Sequence, residues 1–407
     1  MDEKYLILNG GSSSLKFKLY VDDLLYVSGS VERIGEEESE IALSKDGVKK
    51  KYSLKINTHE EALENLLEVL RKENILDGFH ELKGIGHRLL HGGEFYKDSV
   101  LITDEVINNI ESIKEFGPLH IPGELAIVKY IKNNYPNLSQ VVVFDTAFHQ
   151  TMAEDKFRYA VPNEWYYDYG VRKYGFHGTS HKYITGEMKK ILNKNDVNLI
   201  ICHLGNGSSI SAIKDSKVVN TSMGLTPLDG LIMGTRSGSI DPSIIAYICK
   251  MKNLSVEEVT ELLNKNSGLT GICGKNDLRD ILRLIKENDE NAKLAFKMLT
   301  NSIVNYIAMY YFLLEGDVDA IVFTAGIGEN NPKLRSDVLK KVSHVIPMFV
   351  NNEMNDNISR NKKYQSGLIT TPYSKVKAYV LKTDEEKAIL EETKRVIASL
   401  DTLKRKK

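Results

Sequence analysis

The sequence predicts an α/β protein of two similar domains, and three observations carry that expectation. Short apolar, β-rich runs alternate with longer segments whose hydrophobic residues recur at helical spacing. A strand, a turn of small residues and a second strand occur at residues 9–21 and again at 203–214, as a duplicated domain would give. The 407 residues are enough for two or three domains at roughly 100–200 residues each.

Residues 5–9 and 15–21 are rich in β-compatible side chains, and Gly10, Gly11, Ser12, Ser13 and Ser14 between them suit a tight turn, so the chain opens on a hairpin. Leu63, Leu66, Leu67 and Leu70 share one face of a helix over 60–73. Residues 84–90 form a short buried segment, and 141–144 an apolar strand. Strands follow at 199–203, 208–214, 320–324 and 378–381, and helices at 242–250, 255–264, 291–315, 331–342 and 385–400. No Pro- or Ser-rich linker separates the halves. The boundary is placed near Gln150, giving domains at 1–150 and 151–381, with residues 382–407 returning to the first.

Hydrophobic residues make up 42% and charged residues 27%, a soluble globular balance that excludes wholesale disorder and a membrane protein. A net charge of −1 leaves no electrostatic footprint for nucleic acid, and Lys404, Arg405, Lys406 and Lys407 are expected to form a solvated tail. Cys202, Cys249 and Cys273 have no C-x-x-C spacing, which suits a reducing compartment. Lys4, Lys16 and Lys18 interrupt the early hydrophobic residues, so no signal peptide is expected and the location expected is cytoplasmic. The apolar run 303–314 is too short to cross a bilayer and is expected to be a buried helix.

The nearest match to a Walker A loop, residues 268–275, has the wrong glycine spacing and is followed by Asn276. Gly326, Ile327 and Gly328 continue as Glu329, Asn330 and Asn331, so no dinucleotide fingerprint is present either. Three other small-residue loops follow strands: residues 9–14, residues 203–207 and residues 326–330. Glycines there allow close backbone approach and leave N–H groups for a polyphosphate. Ser13 and Lys16 match the S-x-x-K spacing of serine acyl enzymes, but they sit in a hairpin without the companion motifs. Lys16 is better placed as a point charge for phosphate, with an ordinary solvent-facing lysine as the alternative.

The pairs His87/His91 and His177/His181 have four-residue spacing, yet Gly92, Gly93 and Gly178 argue for loops, and zinc is not expected. Arg88 and Arg236 stand among glycines, where a guanidinium fork suits a carboxylate or phosphoryl group, or else ties loop carbonyls. Asp145, ending an apolar strand, is placed as a metal-site carboxylate or a helix N-cap.

In order, these segments resemble the acetokinase family: Asn9 to Lys16, His87 to Gly93, Phe144 to Gln150, Tyr174 to His181, His203 to Gly207, Thr221 to Gly238 and Phe323 to Asn330. The resemblance covers essentially the whole chain. It implies two duplicated actin-like (ribonuclease H-like) domains, mixed sheets flanked by helices, with the active site in the interdomain cleft. The implied reaction is reversible, Mg-dependent transfer of the ATP γ-phosphoryl group to acetate by direct in-line displacement, giving acetyl phosphate and ADP. Mg2+, with Mn2+ as a substitute, and a homodimer are implied as well.

Carried over by position, the resemblance makes Asn9 and Glu385 metal-site residues. Asp145, His177, Arg236 and Arg88 become catalytic, with Arg88 on the acyl carboxylate and His177 and Arg236 on the phosphoryl group. Leu90, Leu119, Phe176 and Pro227 line the acyl pocket. Ser12, Ser14, Lys16, His203, Leu204, Gly205, Asn206, Gly207, Asp277, Leu278, Arg279, Gly326, Ile327, Gly328, Glu329 and Asn330 serve the nucleotide.

Three departures stand out: Leu90 for the family's valine, Cys273 for a serine in a shortened loop, and Lys382 for the proline before Thr383, Asp384 and Glu385. The first should narrow the acyl pocket. The competing readings are an actin- or Hsp70-like ATP-driven binding protein, which needs no paired arginines, and a kinase of propionate or butyrate, separated only by pocket volume.

Overall fold

The structure, a computed structural model, describes residues 2–118, 120–359 and 364–405, so Leu119, Lys406 and Lys407 lie outside it. The chain divides into two compact units, Met1–Phe148 with Asp384–Lys407, and His149–Thr383.

The first unit carries β1 (Lys4–Gly10), β2 (Ser14–Val21), β3 (Leu24–Glu32), β4 (Ser39–Lys45), β5 (Val48–Leu54), β6 (Leu82–Leu89), β7 (Val100–Leu101) and β8 (Gln140–Phe144). They form one sheet in the order β5-β4-β3-β2-β1-β6-β8-β7. The second unit carries β9 (Leu199–Leu204), β10 (Ser208–Lys214), β11 (Lys217–Thr221), β12 (Ala320–Thr324), β13 (Gly367–Leu368) and β14 (Lys377–Val380), in the order β11-β10-β9-β12-β14-β13.

The expected duplication is visible in these orders. The run β3-β2-β1-β6-β8 matches β11-β10-β9-β12-β14: two antiparallel pairings, then two parallel ones. An antiparallel strand closes each edge, β7 on β8 and β13 on β14. The two hairpins read from the sequence are therefore equivalent elements, and the turn of each stands beside the C-terminal ends of its unit's parallel strands, where open α/β sheets bind ligands.

β1 shows the period of two that builds the core. Leu6 and Leu8 join Leu63, Leu66 and Leu70 of helix His59–Lys72, while Tyr5 and Ile7 pack with Ile389 and Ile397 of the last helix, Glu385–Arg405. That helix lies directly on β6, because Gly84 and Gly86 have no side chains. A Cβ on Gly84 would stand 2.3 Å from Ile397 Cδ1, and one on Gly86 2.3 Å from Thr393 Oγ1. In the second unit, Phe296, Leu299, Ile303 and Ile307 of helix Glu290–Leu313 cover Ile200, Cys202, Ile210 and Phe323.

Several expectations need correction. The run 303–314 is not buried throughout: the helix is amphipathic and Phe312 is 72% exposed. No helix among the described residues is long and apolar enough to cross a membrane. Gly178 begins a helix, Gly178–Leu192, so His181 is helical, whereas His87 and Arg88 lie on a strand rather than in a loop. Residues 326–330 are not a loop but most of a short helix, Ala325–Asn330. The strands β3–β5 and helices Ile121–Asn134 and Leu278–Lys286 were not foreseen. β5, with Lys49, Lys50 and Lys51 exposed, is an edge strand whose charges mask its periodicity.

Candidate active site

In the first unit, Asn9, Arg88, Asp145 and Glu385 come from four elements. Register sets Asn9 of β1 beside Arg88 of β6, and Asp145 follows β8, its N–H donating to Leu89 O at 3.0 Å. The Arg88 fork grips Asp145, Nη2 to Oδ2 at 2.5 Å and Nε to Oδ1 at 3.3 Å, and Nη1 reaches Asn9 Oδ1 at 3.5 Å. Burial alone would lower the Arg88 pKa, but the Asp145, Glu124 and Glu385 carboxylates outweigh it and raise it, so this guanidinium stays charged. Burial and the nearby Asp145 carboxylate push the Glu385 carboxyl up.

A residue outside the expected set completes this cluster. Glu124 is buried, its Oε2 accepts from Leu90 N–H at 3.1 Å, and its Oε1 lies 3.9 Å from Arg88 Nη1. Burial pushes its pKa up to about 7 against the pull of Arg88. The signal available in the sequence was one acid among Ile121, Leu125, Ile127 and Val128 on the buried face of a helix. Leu90, which Glu124 holds by its backbone, is buried in this unit.

Ser12 and Lys16 are exposed at the β1–β2 turn and just beyond it, and Ser14, half-buried, begins β2. The turn is closed by Gly11 N–H donating to Ser14 O at 2.7 Å. Lys16 faces Asn9 across the hairpin register.

The second unit brings His177, Arg236, His203 and the turn at residues 205–207 together. His177 caps its helix in the left-handed region, φ 59°, a conformation that a non-glycine residue keeps only where its surroundings impose it. A Cβ on Gly207 would meet Arg236 Nη1 at 3.2 Å and His177 Nε2 at 3.5 Å, so the bare glycine marks where these two groups converge. Arg236 donates only to Pro227 O, at 3.3 Å, and weakly to Met233 Sδ; among the described residues no carboxylate pairs with it. Burial lowers its pKa. Such a cation, largely desolvated and without a counter-ion, is ready for an anion. The His203 ring stacks on His177 at 4.2 Å, and Phe176, which precedes His177 in the chain, is buried.

An open pocket of about 600 Å³ is lined by Gly205, Asn206, Asp277, Leu278, Arg279, Gly326, Ile327 and Asn330. Leu204, Gly328 and Glu329 do not line it. Leu204 is β core, and the Glu329 side chain is buried, its Oε1 accepting from Thr383 N–H at 3.2 Å. Asn276, Asn331 and Ser359 line the pocket without having been foreseen. The first two adjoin recognised motifs, whereas Ser359 carries no local signal. Asp277 caps helix Leu278–Lys286 and pairs with Arg279. Arg335, wholly buried, spends all five donors on Gly328 O, Glu329 O, Ile358 O and both oxygens of Asn355, which pins the end of helix Ala325–Asn330.

Against this geometry, the model of the Acetokinase family matches residues 4–391. The chain belongs to the Acetokinase family. It is 43% identical over 393 residues to the acetate kinase of Phytoplasma mali strain AT, covering 96% of this chain and 98% of that one. The crystal structure of Porphyromonas gingivalis acetate kinase superposes with a TM-score of 0.91 at 38% identity, covering 97% of this chain and all (100%) of the other. A propionate kinase from Francisella tularensis subsp. tularensis SCHU S4 superposes with a TM-score of 0.89, also at 38% identity, with coverage of 97% and 100%. As an Acetokinase family member, the protein is a kinase, a phosphotransferase acting with ATP and ADP.

Proposed function

We propose that the protein transfers the γ-phosphoryl group of ATP to acetate, reversibly and without a covalent enzyme intermediate, giving acetyl phosphate and ADP. The observation that carries this reading is Arg236, a largely buried guanidinium that no carboxylate pairs with among the described residues, converging with His177 on Gly207. A phosphoryl group in flight spreads negative charge over its equatorial oxygens, and catalysis of its transfer is chiefly positioning and electrostatic stabilisation. The ATP-driven binding-protein alternative gives no account of the family match.

Acetate is already ionised at neutral pH, so its oxygen attacks without losing a proton. Asp145 therefore need not act as a base, and its grip on Arg88 supports another role: it aligns the fork beside Asn9 and Glu385. We assign Arg88 to the acyl carboxylate, Leu90, Phe176 and Pro227 to the acyl pocket, and the pocket at Gly205 and Asn330 to the nucleotide. The turn residues Ser12, Ser14 and Lys16 are assigned to its phosphates.

Asn9, Asp145 and Glu385 offer hard oxygen donors, and the burial and nearby Asp145 carboxylate that raise Glu385 are what a divalent cation would offset. They would hold Mg2+, which would supply charge neutralisation for the phosphate groups. Among the described residues there is no cluster of three His, Cys, Asp or Glu side chains fit for a metal. A homodimer belongs to the same reading as what the family resemblance implies, and a cytoplasmic location as what the cysteine usage suits.

The test is acyl phosphate trapped with hydroxylamine from Mg-ATP and acetate, propionate or butyrate at matched concentrations. Acetate is expected to lead, with propionate behind it, because one methylene in an apolar pocket is worth only about 1–3 kcal/mol. Arg236→Ala should lower kcat by roughly 10²-fold or more. Equal product from the variant, or none from any acid with the parent protein, would overturn the assignment.

A further inference from the structure

The array of histidines behind His177 exceeds what holding one ring requires. His177 Nδ1 lies 2.9 Å from Ser209 Oγ, and His181 Nε2 lies 2.8 Å from the same oxygen. Ser209, on β10, and His181, one turn along the helix that His177 caps, are both fully buried. Among the described residues Ser209 Oγ has no third partner, and His181 Nδ1 has none at all.

One serine proton is shared between two rings, and the orphan nitrogen decides the sharing. A neutral His181 has a single N–H. Were it on Nδ1, a buried donor would be left unmade, a rarer and costlier fault than an unfilled lone pair. The proton therefore sits on Nε2 and is donated to Ser209 Oγ. Burial, with His149 and His203 alongside, pushes the His181 pKa well down, in keeping with a neutral ring.

Ser209 in turn must donate its only proton to His177 Nδ1. That leaves the His177 proton on Nε2, the nitrogen that faces Gly207 and Arg236. A charged His177 would instead carry a proton on Nδ1, and the Ser209 hydroxyl hydrogen would then have no acceptor.

We infer that Ser209 and His181 are positioning residues that fix His177 as the neutral Nε2–H tautomer, so that it offers a hydrogen bond, not a full charge, to the transferring phosphoryl group. The inference rests on the reading that places His177 at that group. It differs from a purely structural role because it specifies which nitrogen holds the proton.

The direct test is 15N NMR of the full-length protein labelled at histidine ring nitrogens, with His177 assigned by loss of its signals in His177→Ala. Protonated Nε2 and bare Nδ1 are expected in the unsubstituted protein; a protonated Nδ1 overturns the proposal without need of any further variant. Ser209→Ala should release an Nδ1–H population and lower kcat by about tenfold or more, with KM for ATP and acetate within about twofold, the pattern of an interaction realised in the transition state. Ser209→Thr, which restores the hydroxyl, should recover most of kcat. Full kcat in Ser209→Ala overturns the proposal while His177→Ala remains inactive. Full activity in His177→Ala instead sinks the underlying placement of His177, and the proposal with it.

Discussion

The two arginines singled out in the sequence for the same reason, a fork without a helical partner, turn out to be electrostatic opposites. Arg88 is bound to Asp145 and flanked by Glu124, whereas among the described residues Arg236 meets only a carbonyl and a thioether. Sequence could not separate them, because the acid partners lie 57 and 36 positions from Arg88 and meet it only through the sheet and an adjoining helix. The pairing makes a prediction for Asp145→Asn. Loss of the carboxylate leaves Arg88 charged and half-gripped and removes one anionic oxygen from the metal site. Turnover should fall together with an increase in the Mg2+ concentration for half-maximal rate, measured by titrating Mg2+ at saturating ATP. An unchanged Mg2+ response would return Asp145 to a role independent of the metal.

Among the elements, helix Ile121–Asn134 and helix Ala325–Asn330 each deliver a functional group by being pinned at one end. The first turn of Ile121–Asn134 carries Glu124 to the end of β6, where its pKa is pushed from 4.5 to about 7. The folded protein therefore holds this proton more tightly than the unfolded chain does. Its contribution to stability is present below pH 4.5 and is lost as pH rises toward about 7, by an amount on the order of 3 kcal/mol. Glu124→Gln cannot ionise, so denaturant midpoints measured from pH 5 to 8 should show the variant gaining on the parent as pH rises. Parallel curves would mean that Glu124 keeps an ordinary pKa.

Helix Ala325–Asn330 is too short to hold itself and relies on Arg335, two of whose five hydrogen bonds fix the Gly328 and Glu329 carbonyls at its end while the other three tie it to Asn355 and Ile358. Arg335→Met strands several buried acceptors and should cost roughly 3 kcal/mol or more. Arg335→Lys should weaken ADP binding in calorimetry more than it weakens acetate KM, since the pocket proposed for the nucleotide includes Gly326, Ile327 and Asn330. Equal losses for both substrates would argue for a global effect instead.

For the whole molecule, the pocket assigned to the nucleotide lies within one compact unit, His149–Thr383. ADP at 100 times its Kd should therefore stabilise that unit by about 2.7 kcal/mol, seen as a rise of a few degrees in its calorimetric transition. A ligand-independent scan would contradict the pocket assignment. By itself the sequence determined the α/β class, the duplicated hairpins, helices Ser243–Lys252, Val256–Lys265, Glu290–Leu313 and Pro332–Val342 of the second unit and the small-residue turns of the two hairpins, because these depend on local periodicity and on residues such as Gly205 and Gly207 that permit close approach. The family motifs likewise pointed to His177, Arg236 and Asp145 along the chain. Tertiary structure alone decided which arginine is neutralised, placed Glu124 and Ser359 in their sites, and set His181 behind His177. Each of those facts is a relation between residues far apart in sequence or across a turn of helix and a strand, and burial fixes its sign. Only the fold sets the Ser209 hydroxyl between the buried His181 ring and the part-buried His177 ring, the arrangement from which the His177 tautomer is inferred.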